Sequence, residues 1–311
     1  MELYFLGTGA GMPARERNVT SICLKLYEER GTMWMFDCGE GTQHQVLRSP
    51  LKLSRLEKIF ITHLHGDHIY GLPGLLTSRS YQGGDTPLEI YGPPGVKKYI
   101  ETVLSLSEAH LDYDLIISEL DRELVFEDHQ FRVTMAKLEH RIDSYGYRIE
   151  EKERPGKLLH EKLSEAGVPP GPLYAAIKSG NDVTLEDGTR IEAAEYTSPP
   201  IPGRTVVIMG DTRITEGSAR FCSGADVVVH EATFAGDLDD LAHKYYHTTA
   251  KQAARMAMQQ GVGVLILTHI SSRYQKEGTE QLEQEAKSEF ENSFIARDFW
   301  EYAIPRIIQK Q

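Results

Sequence analysis

Short apolar stretches, alternating with polar residues or unbroken, fill the first half of the chain. ELYFLG, SICLKLYEE and MWMFDCG are of this kind, with the glycine-rich loop GTGAGMPARERN after the first. The pattern predicts strands that pair as a meander. KIFITH (Lys58–His63) is a compact apolar run ending in polar residues, as a buried strand would be. LEIYG follows as a strand, GVKKYIETVLSLSE as a helix, DLIISEL as a strand, and LVFEDHQFRVTMAKLEH as a hairpin. From about 150 to 195 the pattern changes. PG, VPPGP, SGND and EDG interrupt it and no apolar period is sustained, which predicts an inserted arm with one short helix at LLHEKLSEAG. Beyond it, TVVIMGD, DVVVHEAT and VLILTH predict three buried strands, with helical stretches such as TTAKQAARMAMQQ between them.

Strands at both ends with interleaved helices predict an α/β fold in which two sheets are covered by helices on the outside, one domain over residues 1–311 carrying the arm. His63, Asp211 and His269 each end an apolar strand in this reading. In open α/β sheets that is where ligands bind.

The composition narrows the class without naming a chemistry. At 311 residues, 40% hydrophobic and 26% charged, the chain fits a globular protein and not a disordered or fibrous one. Cys23, Cys38 and Cys222 are scattered, with no CxxC pair. That argues against a disulfide framework or a thiolate zinc site and for a reducing compartment. The opening MELYFLGTGAGMP lacks the basic and long apolar regions of a signal peptide, and no apolar run approaches the ~20 residues of a membrane span; the expected location is the cytoplasm. A net charge of -12 argues against a general nucleic-acid coat, although bound cations would add positive charge locally.

The strongest chemical signal is ITHLHGDHIYGLPGLL, where His63, His65, Asp67 and His68 form HxHxDH. An apolar strand delivers the cluster into a turn. Gly66 is expected to let that turn close tightly enough for neighbouring side chains to serve two centres. Imidazoles with carboxylates suit zinc, with manganese as the alternative, and this many ligands near one point imply two ions.

HxHxDH resembles the signature of the metallo-β-lactamase superfamily, whose αββα sandwich the predicted elements match. The resemblance adds His140 in KLEH, Asp211 in VIMGD and His269 in LILTH. It implies that His63, His65 and His140 hold one metal, that Asp67, His68 and His269 hold the other, and that Asp211 bridges them. Two carboxylates leave a pair of dications net positive, so an intervening water would lose its proton near neutral pH and act as the nucleophile.

Nine further motifs, in order along nearly the whole chain, resemble the short form of the ribonuclease Z family: FLGTGAGMPARERN, FDCGEGTQHQ, HLHGDHIYGLPGLL, YGYRIEEKERPG, VPPGPLY, GDTR, VHEATF, HTT and THISSRYQ. The resemblance implies a zinc-dependent endoribonuclease acting on pre-tRNA just 3′ of the discriminator. It implies catalytic roles for His247 and Glu231: an imidazolium suits a phosphorane-like transition state or a leaving oxygen, and a carboxylate would keep it protonated. Asp67 would combine metal ligation with accepting a proton from the attacking water. Arg15 (where lysine is common), Arg17 and Asn18 would meet RNA near the cut, with Arg273 a further phosphate contact. The inserted segment would grip the tRNA elbow around Pro169, Gly171 and Pro172, and the chain would act as a homodimer. The arm carries six Lys/Arg against ten Asp/Glu, so its grip would depend on shape or a local patch. Two competing readings are a phosphodiesterase for small molecules and a non-catalytic binding protein.

Overall fold

The computed structural model describes residues 1–306. One seven-stranded sheet takes the order Glu301–Ala303, Glu2–Gly7, Ser21–Leu26, Thr32–Phe36, Leu56–Phe60, Leu88–Gly92, Leu115–Glu119. Its first three pairings are antiparallel and the rest parallel. The other takes the order Ser293–Ile295, Val264–Thr268, Val227–Glu231, Thr205–Ile208, Ser144–Glu151, Phe131–Leu138, Leu124–Glu127. The four strands that open this order run parallel. Strands such as VVVHE are buried at every position, as expected where both faces of a parallel sheet are covered.

Side-chain alternation builds the layers. In Thr32–Phe36, Met33 and Met35 join the apolar cluster beneath the helices Leu72–Tyr81 and Val96–Leu106. Trp34 and Phe36 point the other way, into an aromatic layer where Phe36 stacks on Phe60 at 4.9 Å and Phe60 meets Tyr147 of the second sheet at 5.2 Å. On the outer face of the second sheet, Ala253, Ala254 and Ala257 of the helix Ala250–Gln259 pack with Leu282 and Ala286 of the helix Glu277–Glu289. The result is the αββα sandwich.

Several elements differ from the sequence reading. The strand expected over SICLKLYEE ends at Leu26, and Tyr27–Arg30 forms one helical turn closed by Gly31 in the left-handed region (φ 76°). KIFITH stops as a strand at Phe60, so His63 stands three residues beyond the sheet. The hydrophobic pattern predicts no element over Leu72–Tyr81, Glu277–Glu289 or Ser144–Glu151; the first is a helix with proline in its first turn, where proline costs no hydrogen bond.

Residues Glu150–Arg204, with Asp128–Arg132, form a second compact unit. It contains the expected helix, shortened to His160–Glu165, an unexpected one at Pro172–Lys178, and a small hairpin pairing Val183–Thr184 with Arg190–Ile191. Leu163, Val168, Ile177, Ile191 and Ala193 make a core of its own. Because each element contributes one or two of these residues, no period is visible along the sequence. The unit's two ends run side by side: Arg154 and Ile201 exchange backbone hydrogen bonds, and the Ser198 N–H donates to the Lys157 carbonyl at 2.8 Å. Among the described residues no helix is long and apolar enough to cross a membrane. Cys23, Cys38 and Cys222 are buried as free thiols.

Candidate active site

All seven expected metal ligands follow strand ends and converge. Candidate ligand atoms of His63, His65, His140 and Asp211 lie within 4.8 Å of one another, as do those of Asp67, His68 and His269. Asp211 stands between the sets: Oδ2 is 3.6 Å from His63 Nε2 and 3.3 Å from His269 Nε2, and Oδ1 is 3.6 Å from His68 Nε2. His68 Nε2 is buried with no hydrogen-bond partner. Such an orphan is costly unless something takes its lone pair. Burial, then the neighbouring His68 charge, pushes His63 well below the ordinary imidazole range; burial and neighbouring histidines lower His65 as well. His63 and His65 are thus held in the neutral form that binds a cation, whereas at His68 burial is overcome by the Asp211 and Asp37 charges, which raise it. These residues fit a pair of divalent ions.

The rings are aimed from behind. His140 Nδ1–H donates to the Tyr246 carbonyl at 3.1 Å, which turns Nε2 inward. Asp37 accepts from the Thr62 N–H at 2.7 Å, the Thr62 hydroxyl at 2.8 Å and His68 Nδ1 at 2.7 Å. The Thr233 hydroxyl sits 2.9 Å from His269 Nδ1 and donates to Glu231 Oε2 at 2.6 Å. Asp37 and His269 both have left-handed backbone, φ 57° and 55°, uncommon for a residue with a side chain and frequent at functional sites. Asp37 in FDCG and Thr233 in HEATF have no role in the sequence reading above. The signal for Asp37 was there: like His63 and Asp211, it is a polar residue closing an apolar strand. Asp37→Ala should weaken metal binding by roughly 10–100-fold, the usual cost of losing a carboxylate that orients a ligand. Titration of metal-free protein with zinc would measure this; unchanged affinity would reduce Asp37 to a packing role.

Gly66 acts differently from expectation. It opens the short helix Gly66–Ile69 without left-handed backbone, and a β-carbon there would strike the Tyr70 ring. The Tyr70 side chain is exposed, so its ring can turn aside for a small substituent.

Glu231 ends the strand Val227–Glu231, fully buried, and accepts from the Thr212 N–H at 2.7 Å. Both its oxygens lie 3.0 Å from His247 Nδ1. His247 occupies the turn between the helices Asp239–Tyr245 and Ala250–Gln259, and the second is capped by the Thr249 hydroxyl. Burial opposes protonation of His247, but the Glu231 charge and its hydrogen bond prevail, raising the imidazole to about 9. His247 also comes within ligand reach of Asp211 and His269, but its Nδ1 is committed to Glu231. Asp67 is likewise ionised. Burial works against the charge, yet the hydrogen bond from His269 and the His68 charge hold its carboxyl well below the usual range. Its Oδ2 accepts from the Gly11 N–H at 2.7 Å.

A cleft of about 440 Å³ exposes this chemistry, bordered by Asp67, Asp211, His247, His269, Phe234 and Arg273. Arg273 is exposed there, its guanidinium 5.1 Å from the Phe234 ring centre. Arg15 is exposed on the loop 10–18. Arg17, expected to face RNA, is instead buried and directed inward. It donates to the Thr8 hydroxyl and the Ala296 carbonyl, both at 2.6 Å. Asn18 is half-buried and donates to the Glu40 carbonyl at 2.9 Å. Asp298 completes the clamp, accepting from the Asn18 N–H, the Thr8 hydroxyl and the Gln45 amide. Arg17 therefore belongs to the loop's anchorage. Pro169, Gly171 and Pro172 are exposed in the second unit.

A family model described as "Anti-Pycsar protein Apyc1" matches residues 1–153, less than half of the chain. Ribonuclease Z of Bacillus velezensis is 55% identical over 98% of this chain and 100% of its own length. Among solved structures, human tRNase Z, short form (ELAC1), aligns with a TM-score of 0.71 at 31% identity, covering 98% of this chain and 100% of that one. The metallo-β-lactamase fold protein YhfI from Bacillus subtilis aligns with a TM-score of 0.68 at 18% identity, covering 97% and 98%, a likeness of fold alone.

Proposed function

This chain belongs to the ribonuclease Z family, and on that premise we propose that it is a zinc-dependent endoribonuclease of the cytoplasm that removes the 3′ trailer from pre-tRNA. The cut falls 3′ of the discriminator nucleotide, leaving a 3′-hydroxyl on the tRNA and a 5′-phosphate on the trailer. One observation carries the reading: seven convergent candidate ligands stand beside the His247–Glu231 pair, and His65, Asp67, Asp211, His269 and His247 border one cleft.

His63, His65 and His140 would hold one ion, Asp67, His68 and His269 the other, with Asp211 shared. Bound there, two zinc ions (or manganese) supply Lewis-acid charge for the phosphate and acidify water. Asp67, kept ionised and fixed by the Gly11 N–H, accepts a proton from the attacking water. As the new P–O bond forms, the bond from phosphorus to the 3′-oxygen breaks. His247, held by Glu231 through Nδ1, donates its Nε2 proton to that oxygen. Arg273 and Arg15 meet phosphates in this reading, the arm binds the body of the tRNA through its exposed Pro169–Pro172 segment, and the chain works as a homodimer.

The test is incubation of zinc-loaded protein with a pre-tRNA bearing a short trailer, with product ends mapped and Asp67→Ala run alongside. A single cut after the discriminator, absent in the variant, is expected. Intact RNA in the presence of two bound ions would instead favour a phosphodiesterase for small molecules.

A further inference from the structure

His247 borders two cavities. The first is the cleft of the metal ligands; the second, about 390 Å³, is walled by Glu139, Arg213, Ala219, Met256 and Gln259, and lies within the range of small-ligand pockets, about 300–1,000 Å³. We propose that this second cavity binds the base of the nucleotide on the 5′ side of the cut bond. The inference deepens the endonuclease reading and rests on it.

Three observations set the class of ligand. Both guanidinium groups in the wall already have carboxylate partners: Arg213 Nη1 lies 3.4 Å from Glu139, and Arg255 lies 3.0 Å from Glu289. The pocket therefore has little unbalanced charge to offer a phosphate, and the Glu139 carboxylate would repel one. A planar platform is present, since the Arg213 guanidinium lies 3.6 Å from the centre of the Tyr246 ring. Unpaired RNA bases stack on such surfaces. Hydrogen-bonding capacity is left over as well: the Gln259 amide stands exposed at the rim. An apolar wall from Ala219 and Met256, with polar groups placed beside it, suits a heterocycle.

Chemistry then selects the nucleotide. The bond that breaks joins phosphorus to a 3′-oxygen, so the oxygen that receives the His247 proton belongs to the nucleotide on the 5′ side. That nucleotide must lie against His247. With its phosphate among the metal ligands, the cavity on which His247 also borders is the nearest built space for its base.

Ala219→Leu would fill the cavity from a half-buried position. It should lower kcat/KM for a pre-tRNA by on the order of tenfold, the scale of losing one stacked base. A pre-tRNA abasic at the nucleotide 5′ of the cut should suffer a similar loss with the unaltered chain, and the two losses should not multiply when variant and abasic RNA are combined. Should circular dichroism show Ala219→Leu to be misfolded, Gln259→Trp, at an exposed position, blocks the same cavity. Cleavage of ordinary pre-tRNA at full rate by a folded, cavity-filled variant would overturn the inference, as would losses that multiply. An unaltered chain that cuts no pre-tRNA would overturn the endonuclease reading first, and this inference with it.

Discussion

His247→Ala should slow single-turnover cleavage of pre-tRNA by about 10²–10⁴-fold, the range for removing a positioned general acid, with tRNA affinity largely kept. The geometry gives the reason. Nδ1 is engaged by both oxygens of Glu231 at 3.0 Å, so the proton available to substrate is the one on Nε2, in the cleft. A ribose 3′-oxygen is a poor leaving group and needs that proton. A p-nitrophenolate does not, so hydrolysis of bis(p-nitrophenyl)phosphate should fall far less. The contrast between the two substrates separates proton donation from general damage to the site. Metal content, measured beside the rates, separates it from ligation, because His247 comes within ligand reach of Asp211 and His269. Loss of a metal ion from the variant, or a defect confined to tRNA binding, would refute the assigned role.

Removing the arm should abolish processing while sparing the chemistry. The Ser198–Lys157 and Arg154–Ile201 hydrogen bonds hold the arm's two ends together. Replacing the residues from Leu158 to Thr197 by a short Gly-Ser link should therefore leave the sandwich closed. The arm's core of Leu163, Val168, Ile177, Ile191 and Ala193 departs as one piece, so no half-core is left exposed to water. Pre-tRNA cleavage is expected to fall by about a hundredfold or more, since a substrate held slightly out of place already costs that much. Hydrolysis of bis(p-nitrophenyl)phosphate should continue. Undiminished pre-tRNA cleavage by the truncated chain would remove the arm from substrate binding altogether.

The convergent cluster of histidines and aspartates was legible because the candidate chemistry is compressed into a few residues and because polar groups closing apolar strands stand out against the pattern around them. His63, Asp211 and His269 are such residues, and Asp37 obeys the same rule without having been singled out. What stayed hidden depends on partners distant in sequence. Arg17 reads as an RNA contact in its loop, yet its partners are Thr8 and Ala296, the latter far along the chain. Asp298 carries no local signal at all, although it fixes the Asn18 backbone and the Thr8 side chain. The helix Leu72–Tyr81 was lost among the glycines and proline of HIYGLPGLL, where local propensity speaks for a turn and packing of Leu72, Leu75 and Leu76 decides for a helix. The fold class emerged because buried parallel strands announce themselves as apolar runs; the arm's interior did not, because its core is assembled from single residues.

The three thiols have a practical consequence. Cys23, Cys38 and Cys222 are buried, and burial pushes each one up, Cys222 to about 12. The thiolate is the reactive form, so the folded chain presents almost nothing to an electrophilic reagent at neutral pH. A cysteine introduced at exposed Glu161, in the arm's helix His160–Glu165, would then be the one site to accept a maleimide dye. The arm could be followed by fluorescence with every native residue of the sandwich left in place.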